Sequence, residues 1–167
     1  MHGKQQSACS LTHSRCQAKA AFESDGRGGN GDTRHAMSQE NVELARRAFD
    51  AFNRRDLDAF LALMDADVRA VPFAAAIEGD YLGHDGIRRW WENLLGVFPD
   101  FKLGAVEVRD FGDMTVASVR NRGRATGSDI LMDQTLWQVA EWRDGKAVWW
   151  SSLGSEAEAL AAVGLRE

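Results

Sequence analysis

Between residues 101 and 153 apolar and polar residues alternate in four long runs, and no other feature restricts the fold as much. A period of two is the pattern of strands that bury one face. The runs predict strands over Leu103–Phe111, Met114–Ala125, Ile130–Trp142 and Ala147–Leu153. Gly112-Asp113 separates the first two, and Arg143-Asp144-Gly145-Lys146 joins the last two. Asp-Gly between alternating runs is the sequence of a tight hairpin, and strands joined by such turns are antiparallel.

The segment before these strands has a different period. Val42, Ala45, Phe49 and Phe52 recur at helical spacing, which predicts a first helix from an N-cap at Ser38 to about Asn53. Asp56 is placed to cap a second helix, with Leu57, Phe60, Leu61 and Met64 on one face. Asp65-Ala66-Asp67 leads out of it into a short strand, Val68 to Val71, which Pro72 stops. A loop around Ala74–Asp80 precedes a third helix, whose buried face is Ile87, Trp90, Trp91, Leu94 and Phe98 and which Pro99 closes. Glu156–Val163 reads as a short last helix. Helices first and long antiparallel strands afterwards give an α+β fold, a curved sheet with helices on one face. Space left at the open end of such a layer pair is the default ligand pocket.

Residues 1–36 contain little apolar material and a glycine-rich stretch, Ser24 to Asp32, so they read as a disordered extension. Met37-Ser38-Gln39-Glu40 has the form of a natural start, and the expected domain is 37–167. Lys4, Arg15, Lys19, Arg27 and Arg34 against Glu23, Asp25 and Asp32 give the extension a net charge of +2. That leaves −7 for the rest of a chain that carries −5 overall. An acidic body repels phosphate backbones and anionic lipid, so neither nucleic acid nor membrane is an expected partner. No apolar run approaches the length of a transmembrane helix, and a cytoplasmic protein is expected. Cys9, His13 and Cys16 form a loose cluster that fits no standard zinc module. With no P-loop, dinucleotide fingerprint, nucleophile elbow or metal triad in the sequence, no cofactor and no metal is expected.

Four segments carry a resemblance. They are Ala51-Phe52-Asn53-Arg54-Arg55-Asp56, Tyr81-Leu82-Gly83-His84-Asp85-Gly86, Arg143-Asp144-Gly145-Lys146 and Glu158-Ala159-Leu160-Ala161-Ala162-Val163-Gly164-Leu165. In this order the chain resembles the SnoaL-like branch of the nuclear transport factor 2-like superfamily, over residues 38–165. The resemblance implies a cone-shaped, mostly antiparallel sheet with the N-terminal helices on its concave face. It also implies a homodimer through the outer sheet face, to which Trp137 and Trp149 would contribute. The superfamily includes polyketide cyclases, ketosteroid isomerases and epoxide hydrolases beside members without catalysis, so the site must be argued by itself.

Set against the cyclases, Gln138 stands at the place of the acid/base histidine and Ser152 at that of the catalytic aspartate. Neither an amide nor an unactivated hydroxyl exchanges protons near neutral pH. Set against the ketosteroid isomerases, the helix-1 tyrosine falls near Ala48, the base near Val71 and the second aspartate near Gln138. The resemblance turns Met132, Gln134, Leu136, Gln138, Ala140 and Trp142 inward on one strand and Val148, Trp150, Ser152 and Gly154 on the next. The expected pocket wall is thus Met132, Gln134, Leu136, Gln138, Trp150 and Ser152, with Tyr81 at the rim. His84 is the only histidine of residues 37–167, and histidine ordinarily titrates across the neutral range. With Asp80 or Glu78 from the preceding loop it is the remaining acid/base candidate. The Arg120, Arg122 and Arg124 stripe reads as an ion-paired strand face. Three readings follow: a binder of a small apolar or polyketide-like molecule; an enzyme of the cyclase, isomerase or hydrolase type with a non-standard site; and an association module whose cone is plugged by Trp142 and Trp150.

Overall fold

A computed structural model describes residues 33–164. The extension expected over 1–36, with Cys9, His13 and Cys16, lies outside the described residues except for 33–36. Helix α1 covers residues 33–53. Ser38 is therefore inside the helix and buried, not its cap. No glycine or proline between Thr33 and Met37 stops the helix from extending upstream.

After α1 come α2 (Leu57–Ala62), β1 (Met64–Val71), the single turn α3 (Ala75–Glu78), β2 (Tyr81–Leu82) and α4 (Gly83–Val97). The rest is β3 (Lys102–Phe111), β4 (Met114–Arg124), β5 (Leu131–Arg143), β6 (Lys146–Leu153) and α5 (Glu156–Ala162). The six strands form one sheet in the order β2-β1-β6-β5-β4-β3. Every pairing is antiparallel except β1 with β6. β1 begins four residues earlier than the sequence suggests. The Asp65 carboxylate accepts from the Asp67 N–H at 2.9 Å, and this local turn absorbs the irregularity between Met64 and Arg69.

Turn chemistry explains the meander. Asp144 and Gly145 both have positive φ, 51° and 74°, as the two-residue turn between β5 and β6 requires. Gly112, with φ 78°, does the same between β3 and β4. The Asp56 carboxylate caps α2 through the Ala59 N–H at 3.0 Å. α5 opens on a capping box formed by Ser155 and Glu158.

One face of the sheet meets α1, α2 and α4 in an aromatic core. Phe52 is fully buried, its ring 4.7 Å from that of Trp91 and 5.7 Å from that of Trp90. The opposite face is covered by α5, which buries Ala159 against Val116 and Val139. Trp137 and Trp149 pack half-buried around this second cluster. They do not form the open aromatic face expected of them, because Ala159 and Val163 of the C-terminal segment lie over it. Beyond α5 the outer face is polar: Arg120 holds Asp133 with two hydrogen bonds of 2.8 and 2.9 Å, and Arg122 lies 3.6 Å from it.

Candidate functional site

The space between helices and sheet is divided in two. Deep in the cone is a void of about 40 Å³, walled by Ala48, Phe49, Phe60, Ala117, Trp142 and Trp150 among others. Nearer the opening lies a chamber of about 240 Å³. Trp90, Leu103 and Gln138 line both and so form the partition. The Trp90 ring meets that of Trp150 edge-on at 5.0 Å and stacks near Phe60 at 6.1 Å. The deep end is thus largely filled by aromatic rings, and the outer chamber holds the accessible space.

Local structure puts the chamber's side chains in place. Along β5 the period of two points Met132, Gln134, Leu136 and Gln138 at the chamber. Opposite them on β4 stand Gly123, Asn121, Val119 and Ala117. Gln138 and Ser152 are direct cross-strand partners, and the Gln138 Nε2 donates to the Ser152 Oγ at 3.3 Å. The two positions that the resemblance compares with a cyclase dyad are therefore neighbours, occupied by an amide and a hydroxyl. Asn93, Leu94 and Val97 of α4, Phe73 and Glu78 complete the wall.

The inward set on β6 departs from simple alternation. Ala147 pairs with Trp142 while Trp149 pairs with Glu141, so Val148 is an extra residue in a β-bulge. Ala147 takes the inward place expected for Val148, and Trp150 and Ser152 keep theirs. Trp150 walls the inner void and is not among the outer chamber's residues. The Trp142 Nε1 donates to the Thr115 Oγ1 at 2.9 Å. The Trp150 Nε1 is buried and has no hydrogen-bond partner among the described residues.

The three acid/base candidates are not brought together. The His84 Nε2 lies 3.0 Å from the Met64 carbonyl oxygen, which ties the start of α4 to the start of β1. The Asp80 Oδ2 accepts from the Arg69 Nε at 2.6 Å. Neither residue lines a chamber. Glu78 does, and its Oε2 accepts a hydrogen bond of 2.8 Å from the Tyr81 hydroxyl. Asn93 donates to the same hydroxyl at 3.2 Å. Tyr81 itself, expected at the rim, stands behind Glu78 and Asn93. Burial is the main cause that pushes its phenol above the ordinary 10.0; Glu78 adds to the rise and Asn93 opposes it.

Asn93 and Asn121 are chamber residues that sequence reasoning missed. Asn121 had a signal: with Arg120 and Arg122 outward, alternation turns it inward, and only 2% of its surface is exposed. Its side-chain hydrogen bond to the Val119 carbonyl is long at 3.5 Å. Among the described residues no group of histidine, cysteine and carboxylate side chains is arranged to hold a metal ion. No described helix is long and apolar enough to cross a membrane.

The profile of the SnoaL-like domain matches residues 45–150. No curated protein matches the chain. Among solved structures, a nuclear transport factor 2-like protein of unknown function from Burkholderia pseudomallei K96243 is similar, with a TM-score of 0.63 and 22% identity. That match covers 75% of this chain and 98% of the other. A protein from Jannaschia sp. CCS1 named for SnoaL-like polyketide cyclases gives a TM-score of 0.63 at 18% identity, over 78% of this chain and 95% of that one. TerC, co-crystallised with polyporic acid, gives 0.63 at 21% identity, over 75% and 99% of the two chains. At these identities the likeness carries the fold.

Proposed function

The chain belongs to the SnoaL-like domain family, and from that premise we propose that it binds a small, largely apolar molecule of polyketide-like character in the outer chamber. The observation that carries this reading is the chamber itself. About 240 Å³ of space is walled by Trp90, Leu94, Phe98, Phe101 and Leu136, with a few polar groups converging on it. Apolar walls with sparse polar points are the usual construction of a small-molecule site. Asn121, Gln134, Gln138 and Ser152 would fix the ligand's orientation. The co-crystallisation of TerC, a protein of similar fold, with polyporic acid supports a small-molecule ligand. Because Gln138 and Ser152 offer no group that exchanges protons, binding without turnover is the primary reading.

The test is titration of the full chain with the neutral fluorescent probe N-phenyl-1-naphthylamine. Saturable binding at one site is expected, and Met132→Trp, which fills the chamber from β5, should abolish it while leaving the unfolding midpoint near that of the unaltered protein. Binding that survives Met132→Trp would sink the assignment to this chamber.

One observation favours a second reading, an acid/base enzyme. Glu78 is on the chamber wall and is oriented by Tyr81, which Asn93 holds in turn. In that reading Glu78 accepts the proton, and Glu78→Gln removes turnover while leaving probe affinity unchanged. We also propose a cytoplasmic homodimer, in which the exposed parts of Trp137 and Trp149 beside α5 meet a second copy. Light scattering should then give twice 18.5 kDa, and a mass of 18.5 kDa at high protein concentration would refute it.

A further inference from the structure

The inner void carries an observation that the outer chamber does not explain. Trp150 is 6% exposed, and its Nε1–H meets no acceptor among the described residues. A buried N–H left unpaired is costly, and nearly all such groups in folded proteins find a partner. The comparison with Trp142, in the same void and across the β5–β6 pair, sharpens the point. There the fold supplies Thr115 as acceptor at 2.9 Å. For Trp150 it supplies none.

A water molecule is the occupant that a ligand would have to displace. A buried water is held by two to four polar partners as a rule. Beside the indoles, the polar side chains on the void are Thr115, which accepts from Trp142 and keeps its O–H to donate, and Gln138, which donates to Ser152 and keeps its Oε1 to accept. The surroundings suit an apolar group that carries one acceptor atom. They are alanines, Phe49, Phe60, Met64, Leu103 and Trp90.

We propose that Trp150 is the hydrogen-bond donor of the ligand site, and that the ligand presents a carbonyl oxygen to its Nε1–H at the deep end of the cone. The proposal rests on the chamber being the binding site and adds which atom recognises what. The ligand's body fills the outer chamber, and its carbonyl end passes Gln138 and Trp90, the residues common to both cavities. The two volumes, about 40 and 240 Å³, together approach the lower end of the range of known ligand pockets, about 300 Å³. The class implied is an aromatic or alicyclic ketone or quinone, compact and uncharged at the end that enters first. A carboxylate at that end is disfavoured, because among the described residues no cation lines the inner void.

The experiment uses two probes of the same shape, 2-acetylnaphthalene and 2-ethylnaphthalene, on the full chain labelled with nitrogen-15. The Trp150 indole resonance is identified by its through-space contacts with Trp90. Both probes should bind, the ketone about tenfold tighter, as for one buried hydrogen bond. The ketone alone should move the Trp150 Nε1–H resonance downfield. In Trp150→Phe, which keeps a ring and removes the donor, the advantage of the ketone should vanish. Because the probe pair is compared on the unaltered protein, the proposal stays falsifiable if that variant fails to fold. Equal affinities with an unmoved Trp150 resonance would overturn the donor role and leave the chamber standing. Binding of neither probe would overturn the chamber as well.

Discussion

Replacing Asn53 by alanine should loosen the joint between the first helix and the sheet. β3 is an edge strand, so alternate backbone groups along it lack a strand partner. At Leu103 the Asn53 side chain supplies both: its Oδ1 accepts from the Leu103 N–H at 2.9 Å, and its Nδ2 donates to the Leu103 carbonyl at 2.7 Å. Two hydrogen bonds with a net worth of about 1 kcal/mol each set a floor near 2 kcal/mol. Leu103 is only 7% exposed, so one freed group that stays dry raises the cost to about 4 kcal/mol. With a urea slope of about 2 kcal/mol/M, the unfolding midpoint of Asn53→Ala falls by about 1 to 2 M. Asn53→Asp keeps the acceptor but sets a carboxylate oxygen against the Leu103 carbonyl, and should be at least as damaging. A loss below about 1 kcal/mol for Asn53→Ala would show that water satisfies this edge, and the joint would not depend on the side chain.

Other outcomes follow from single contacts. Tyr81 is the only tyrosine, so the tyrosinate absorbance of the full chain reports it alone; its apparent pKa should exceed 10.0, and a value at or below that would contradict its burial. Since the folded value is raised, Tyr81 contributes stability below its ordinary pKa and loses it as pH rises through the raised one. The Arg120 hydrogen bonds beside Asp133 hold its carboxyl below 3.8, so the stability lost in Asp133→Asn should be visible above that pH, fade as pH falls through the lowered value, and shrink in high salt. A pH-independent difference between the two proteins would refute that ion pair. Gly86→Ala would raise helix propensity by about 1 kcal/mol. Its Cβ, however, would sit 2.9 Å from the Tyr81 carbonyl carbon, so a net loss of stability is expected in thermal unfolding, and a gain would refute the close packing.

The parts of this fold that were legible in the sequence are those written in local chemistry. Asp144-Gly145 specifies its turn through two positive φ values, and the alternation of β5 specifies which side chains face inward. Alternation sets Met132, Gln134, Leu136 and Gln138 on one face of β5, the resemblance marks that face as the inner one, and all four line the outer chamber. The reading slipped at Val148, where a bulge shifts the phase inside a run of residues that are nearly all apolar. A bulge in such a run leaves no mark in the pattern, since inward and outward residues look alike. The acid/base candidates are scattered for a different reason. A loop residue has no period, so nothing local told Glu78, which reaches the chamber, from Asp80, which turns to Arg69. The position of α5 over Val116 and Val139 is a tertiary fact with no local signature.

The segments by which the family is recognised are also the joints of the cone. Asn53 holds β3, and Arg55, at a strained φ of 61°, donates to the carbonyls of Phe52, Pro99 and Phe101 at 3.1, 3.1 and 2.6 Å. Gly83 and Gly86 let α4 approach Ala66 and Tyr81 more closely than a side chain would permit, and His84 fastens the same helix to Met64. Asn53, Arg55, Gly83, His84 and Gly86 line neither cavity. The residues that do, Asn121, Gln134, Gln138, Trp150 and Ser152, belong to no recognisable motif. Fold and chemistry are therefore carried by separate residues of this chain. Gln138 and Ser152 take no part in these joints, so membership of the family does not fix the chemistry at those two positions. What the cone does is decided by the few polar atoms facing its interior, and among them the Trp150 N–H, without a partner among the described residues, is the one the proposed carbonyl would meet.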